Sequence, residues 1–374
     1  MNLGGPDSLE TVQPFLFNLF SDPAILRVPA ILRVPLARLI ASRRATVARE
    51  IYRRLGGGSP LLANTQAQAR ALEAALGPGH RCFIAMRYWH PMSDEAAREV
   101  RDWTPDEIVC LPLYPQFSTT TTGSSLAAWD AAAHRYGIER RVRVICCYPA
   151  KRGLADALAG LIRPVLELAK TDDWPVRLLL TAHGLPKRIA AAGEPYPRQV
   201  EETATAVIAA LNRPELDWQV CYQSRIGPLE WIGPATDDEI RRAGRDRVSV
   251  VVAPISFVSE HSETLVELDH DYRMLAKASG VPAYRRVPAL GIEPGFIHCL
   301  PSWCAVLAPA IGSGVAPLIS PGAPFSGPLF DTLALGSLSL GQVAAHREHG
   351  RMDGRVALLA SALRLPLEST HRIR

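Results

Sequence analysis

The sequence predicts an α/β protein made of two halves with parallel sheets and an intervening cleft. Three observations carry this. At 374 residues the chain exceeds one ordinary core and suits two domains of usual size. Apolar runs rich in β-branched or aromatic residues recur at 81–88, 107–113, 141–148, 176–182, 217–222 and 248–257, and helix-like stretches at 63–76, 122–136, 151–170, 196–212 and 262–277 separate most of them. Such alternation implies parallel strands covered by helices on both faces. Finally, the most distinctive polar text follows the strands, where ligands gather in folds of this kind.

The loops run in order. RYWHP follows the first strand, LYPQFSTTTTGSS the second, TAHGLP the fourth, YQSRIGP the fifth and PISFVSEHSETLVELD the sixth. LPLYPQFSTTTTGSSL also echoes APISFVSEHSETLVEL: strand, proline, aromatic, hydroxyl-rich loop, then helix. Two similar halves facing one another fit that echo. The polar ELAKTDDWP turn places the boundary between about 150 and 175. The expected division is 1–160 for a first half carrying a binding lip, 161–310 for a second half carrying the chemistry, and 311–374 for an extension of unassigned role.

Composition narrows the function. The 41 basic and 37 acidic residues nearly cancel, so a nucleic-acid partner is not expected. The positive charge is uneven: residues 27–54 hold eight arginines against one glutamate, within AILRVPAILRVPLARLI. Such a helix face suits an anionic ligand or the surface of a membrane, with arginine stems on apolar ground and heads in water. Seven scattered cysteines read as reduced, mostly buried thiols, and the opening lacks a leader pattern, so a cytoplasmic location is expected. The apolar stretch 296–320 contains three prolines and is not expected to span a bilayer as a simple helix.

The chemistry concentrates at two places. Glu263, Glu267 and Asp271 stand four residues apart, which stacks them on one helical face, with Glu260 and His261 at its start. Like charges in a ladder repel unless protons, a metal ion or an arginine runs beside them. His183 follows LLLTA and precedes Gly184 and Pro186, so its imidazole is presented at a sharp strand exit. An imidazole and a carboxylate on neighbouring rim loops are suited to moving protons or a divalent ion. A phosphate loop, a dinucleotide fingerprint, a serine-hydrolase elbow and a closed zinc site are all missing.

Taken together, NLGGP at 2–6, FNLFSDP, YRRLGGGSP, RYWHP, LYPQFSTTTTGSS, AHGLP, YQSRIGPLEWIGP and SEHSETLVELD stand in the order found in the ferrochelatase family, which this chain resembles over about four fifths of its length. The resemblance implies two Rossmann-like (chelatase-type) halves without a bound nucleotide, a tetrapyrrole held between them, and insertion of ferrous iron into protoporphyrin IX to form protohaem. It matches His183 and Glu263 to the family's catalytic and metal-handling pair, with Glu267, Asp271, Glu260 and His261 along a proton or metal relay. Tyr52, Ser59, Arg87, Tyr88, His90 and Trp231 match positions that line the macrocycle or hold its carboxylates. Insertion of another divalent metal, a four-carboxylate coproporphyrin substrate, and a non-catalytic porphyrin carrier are the competing readings.

Iron is implied as substrate, with no tightly bound cofactor, and the oligomeric state stays open. Two departures stand out. The family opens on an apolar strand before the glycines, whereas this sequence starts at Met1-Asn2, implying either a late start or a sheet short of one strand. Some relatives carry a two-iron, two-sulphur cluster on crowded C-terminal cysteines; with only Cys299 and Cys304 there, no iron–sulphur cluster is expected.

Overall fold

A computed structural model describes residues 1–306, apart from 226 and 228, together with 310 and 311. The extension expected over 311–374 therefore lies outside the described residues, save its first position. In chain order the helices and strands are α1 (Val12–Ser21), α2 (Ala30–Arg54), α3 (Leu61–Leu76), α4 (Ser93–Trp103), β1 (Glu107–Cys110), α5 (Ser124–Arg135), β2 (Arg141–Val144), α6 (Arg152–Lys170) and β3 (Val176–His183). They continue through α7 (Lys187–Ala190), α8 (Tyr196–Leu211), β4 (Asp217–Gln223), α9 (Thr236–Asp246), β5 (Ser249–Pro254), α10 (Tyr272–Ala278), β6 (Tyr284–Arg286), α11 (Pro294–Val306) and β7 (Ala310–Ile311).

The second sheet has the order β4-β3-β5-β6, all parallel. Its middle strands are apolar over Leu178–Leu180 and Val250–Ala253 because both faces are covered there. Leu178 and Leu180 join a core with Leu158 and Ile162 of α6 and Val200 and Val207 of α8. Leu179, pointing the opposite way by the period of two, meets Ile240 and Ala243 of α9 and Ala276 of α10. Each such leucine contributes about 1.5–3 kcal/mol by leaving water. The order reverses direction between β3 and β5, and the crevice beyond the carboxyl ends of that strand pair is where doubly wound sheets bind ligands.

The first sheet is smaller. β1 pairs with β2 in parallel, and β7 pairs with β2 antiparallel. The strand predicted over 81–88 is not formed: apart from an isolated bridge of Met86 to Asn2 and Met92, the segment has no ladder. The physical reason lies beside it. Between residues 81–85 and β1 is a cavity of about 640 Å³, lined by Leu72, Phe83, Val100, Ile108, Trp129 and Leu300, so the segment has no strand within pairing distance on that side. The sequence reading also passed over β6, three residues long and identifiable only by its pairing with β5.

The halves are joined more than once. The expected boundary at 160 falls inside α6, which packs against α8 and α11. α11 also packs on α3, and β7 enters the first sheet, so these two elements return to the half where the chain began. Buried amides reinforce this. Gln68 of α3 donates to the carbonyls of Val258 and Gly291 and accepts from Ser259, while Gln116 donates to Thr203 and to the Ile255 carbonyl.

Candidate functional site

The crevice between β3 and β5 collects the residues singled out by spacing. His183 ends β3, and the β5 exit loop carries His261 and Glu263 toward it. His183 Nε2 lies 3.6 Å from Glu263 Oε1, and His261 Nε2 lies 3.5 Å from Glu263 Oε2. One carboxylate is thus bracketed by two imidazoles. The remaining nitrogens are anchored: His183 Nδ1 faces the Gly184 carbonyl at 2.6 Å, and His261 Nδ1 faces the Ser259 carbonyl at 3.1 Å. A carbonyl can only accept, so each Nδ1 carries a proton, and Nε2 is the nitrogen that each ring turns toward Glu263. The His183 side chain is 40% exposed against 12% for His261, which makes His183 the ring that a ligand reaches.

The sharp exit at His183 depends on Gly184. Its N–H donates to the Gln223 carbonyl at 2.8 Å. A Cβ there would sit 2.9 Å from that carbonyl oxygen and 3.2 Å from the Trp231 ring, so only glycine allows Trp231 to close over the strand end. Trp231 is held in place by a bridge to Pro186.

The acidic ladder follows as a π-helix, Glu263–Asp271, where the sequence predicts an α-helix. The Tyr272 N–H bonds back to the Glu267 carbonyl, five residues earlier. Wider π turns of this kind recur at functional sites. The three acids diverge in environment. Burial raises the Glu263 carboxyl, but His183 and His261 outweigh it and hold the group at about 2. Burial and the neighbouring Glu263 charge raise Glu267 instead. Glu267 accepts from the Ser224 N–H at 2.8 Å, the Ser224 hydroxyl, the Gln223 amide and the Tyr272 hydroxyl at 3.0 Å. Asp271 reaches the surface, beside His270 and Arg54 of α2. A carboxylate kept ionised beside one that favours its proton is the electrostatic signature of acid and base partners.

The other predicted residues are dispersed. Tyr52 of α2 comes across to the site, and its hydroxyl lies beside Ser262 and Glu263, with burial pushing it up to about 12. Glu260 turns away, accepting from Arg286 at 2.7 Å and from the Ala289 N–H at 2.9 Å. Arg87 donates to Asp22 at 2.7 Å and to Ser124, and Tyr88, with no exposed surface, donates to the same Asp22 oxygen at 2.8 Å. This buried carboxylate organises the wall behind the first loop. Ser59 packs on the opening glycines, with its N–H on the Pro6 carbonyl and its hydroxyl in the space a Gly5 side chain would need. His90 stands exposed beside Glu95, 2.7 Å away, at the start of α4.

Sequence reasoning passed over Asp22, Tyr196, Gln223 and Ser224. Tyr196 donates to the His183 carbonyl at 3.1 Å and is buried next to Glu263, which fixes the strand end from behind. FNLFSDP and YQSR were visible as motifs, but nothing in their spacing singles out these members.

A doubly wound parallel sheet with an imidazole–carboxylate–imidazole cluster at its switch point defines a chelatase-type enzyme architecture. The family model described as ferrochelatase matches residues 1–305. The ferrochelatase of Caulobacter vibrioides strain NA1000 is 57% identical over 304 residues, covering 80% of this chain and 86% of that protein. The ferrochelatase of Phenylobacterium zucineum is 55% identical over 323 residues, covering 84% and 92%. The chain belongs to the ferrochelatase family. Among solved structures, SirB from Bacillus subtilis with Fe3+ aligns with a TM-score of 0.47 at 14% identity, over 63% of this chain and 86% of that one.

Proposed function

We infer that this chain inserts ferrous iron into protoporphyrin IX, the metal-insertion step of haem formation. The single observation that supports the chemistry best is Glu263 bracketed by His183 and His261 within a ferrochelatase-family chain. Metal insertion requires a base for the pyrrole protons and a path for their departure. His183 is the base in this reading. Its Nε2 lone pair takes a pyrrole proton, and Glu263, already ionised, stabilises the imidazolium that results. Glu267 and Asp271 extend the path to solvent, and His183 with Glu263 forms the open ligand pair that ferrous iron meets as substrate. The reading calls for no resident cofactor and no iron–sulphur cluster.

Tyr52 and Trp231 supply aromatic surface suited to a flat ring, while Arg87, Tyr88, Ser59 and His90 support the opposite wall. The lip points to a peripheral membrane role at a cytoplasmic face. Ile31, Leu32, Val34, Leu36 and Leu39 of α2 are exposed among arginines, and no helix among the described residues is long and apolar enough to cross a membrane. The deciding assay is anaerobic metallation of protoporphyrin and coproporphyrin by the wild type and by Glu263→Gln. Rapid wild-type turnover on protoporphyrin, lost in the variant, supports the reading. Tight porphyrin binding without turnover in folded wild type favours a carrier, and turnover unaffected by the substitution removes Glu263 from the mechanism.

A further inference from the structure

The adjacent thiols of Cys146 and Cys147, just past the end of β2, are used by nothing described so far. Their sulfurs lie 3.2 Å apart, in a small cluster with Phe117, and 8% and 7% of the two residues stays exposed. We propose that Cys146 and Cys147 are a redox modification site, closing to a vicinal disulfide under hydroperoxide and thereby slowing metallation.

The environment prepares one sulfur for attack. The two thiols share a contact in which either can donate, and Cys147 also accepts from the Gln199 amide at 3.4 Å; the shared contact lowers Cys147 while raising Cys146. Burial and the Glu202 charge oppose this lowering, the Gln199 amide and Arg198 support it, and the contact with Cys146 outweighs the opposition. Burial raises the remaining five thiols: Cys82 and Cys304 to about 11, Cys110, Cys221 and Cys299 to about 12. The thiolate is the nucleophile, and among the described thiols only this pair brings two sulfurs into contact, with Cys146 at 3.2 Å to resolve the oxidised one.

The step balances. The Cys147 thiolate attacks the near oxygen of the hydroperoxide, the O–O bond breaks, and the leaving oxyanion takes up the proton that Cys147 had released. Cys146 then attacks the sulfenic sulfur, the S–S bond forms, and the hydroxyl departs as water with the Cys146 proton. Two electrons pass from sulfur to peroxide, leaving a disulfide, water and an alcohol or a second water. Adjacent Cα atoms are about 3.8 Å apart, closer than the roughly 4.4–6.8 Å that disulfides prefer, so the product is strained and easily reduced. That suits a reversible device.

The contacts run from this pair to the candidate base. Gln199 Oε1 accepts from the Phe117 N–H at 2.7 Å while Nε2 holds Cys147, so one buried amide clamps the first half to α8. One turn back on α8, Tyr196 donates to the His183 carbonyl. A disulfide sulfur accepts more weakly than a thiolate-like one, so oxidation loosens the clamp that steadies His183.

The consequence for turnover rests on the iron-insertion reading, whereas disulfide formation does not. The test treats reduced full-length wild type with a slight excess of hydrogen peroxide, then removes the oxidant and follows intact mass, a peptide map and anaerobic metallation, alongside Cys146→Ser. The expected result is loss of two hydrogens confined to residues 146–147. Turnover falls roughly fivefold, the scale of one lost hydrogen bond. A thiol reductant restores both, and Cys146→Ser keeps its turnover. No disulfide at these positions, a disulfide without change in turnover, or equal peroxide sensitivity in Cys146→Ser overturns the proposal. Reversal by reductant is read on the wild type alone, so the test stands even where the variant folds poorly.

Discussion

The two halves of this protein contain the same local device with opposite chemistry. After β1, a π-helical turn at Thr119–Gly123 leads into α5; after β5, the π-helix Glu263–Asp271 leads into α10. In the first unit the Gly123 N–H bonds the Ser118 carbonyl, five residues back, as Tyr272 does to Glu267 in the second. The side chains then diverge. The first unit is a run of hydroxyls, with Ser118 and Thr119 donating to one carboxylate oxygen of Glu194 and Arg27 donating to Thr119. The second presents acids to two histidines. One backbone solution thus serves as a structural tie in one half and as a charged path in the other. Residue chemistry, not backbone shape, separates the two units.

Three substitutions would sharpen or break that contrast. Glu263→Gln in the second unit is expected to cost about 10²–10⁴-fold in metallation, the usual scale of a positioned acid or base. Gly184→Ala places a methyl against the Gln223 carbonyl and Trp231. It should lower stability by about 1–3 kcal/mol, measured by denaturant unfolding, with a clear loss of turnover because His183 is adjacent. Thr119→Ala in the first unit should lower stability by about 1 kcal/mol and leave the pH dependence of turnover unchanged. A large change in that profile would contradict a purely structural role for the hydroxyl unit.

A further check concerns acid stability. Glu263 sits at about 2 in the folded chain against an ordinary 4.5. A depressed acid stabilises the fold above its unfolded value and loses that contribution as pH falls through the folded one. The stability advantage of wild type over Glu263→Gln should therefore shrink steadily from pH 4.5 toward 2. Lipid binding offers a separate check. Replacing Ile31 and Leu32 by serine should weaken adsorption to anionic vesicles in a sedimentation assay while leaving metallation of dispersed porphyrin intact.

Much of this was legible in the sequence, for identifiable reasons. Five of the six predicted strands exist, β3 and β5 because their apolar runs are long enough to be covered on both faces. The run at 81–88 has the same composition, but a strand also needs a neighbour, and pairing is a property of the assembled sheet. Spacing placed Glu263, Glu267 and Asp271 on one face, and the strand exit marked His183. Spacing could not show that Glu267 would be gripped by Ser224, Gln223 and Tyr272 while Glu260 turned to Arg286, because those partners come from distant segments. Asp22 was hidden for the same reason, since an aspartate followed by proline ordinarily reads as a turn.

The return of α11 and β7 to the first half has a mechanical outcome. A chain that crosses between two bodies once can open like a hinge, but here the polypeptide crosses by α6 and comes back by α11, with Gln68 and Gln116 pinned across the seam. Two covalent crossings, with amides bonded across the seam, oppose free rotation of one half against the other. The two halves are thus tied at their root by covalent chain and by buried amides alike.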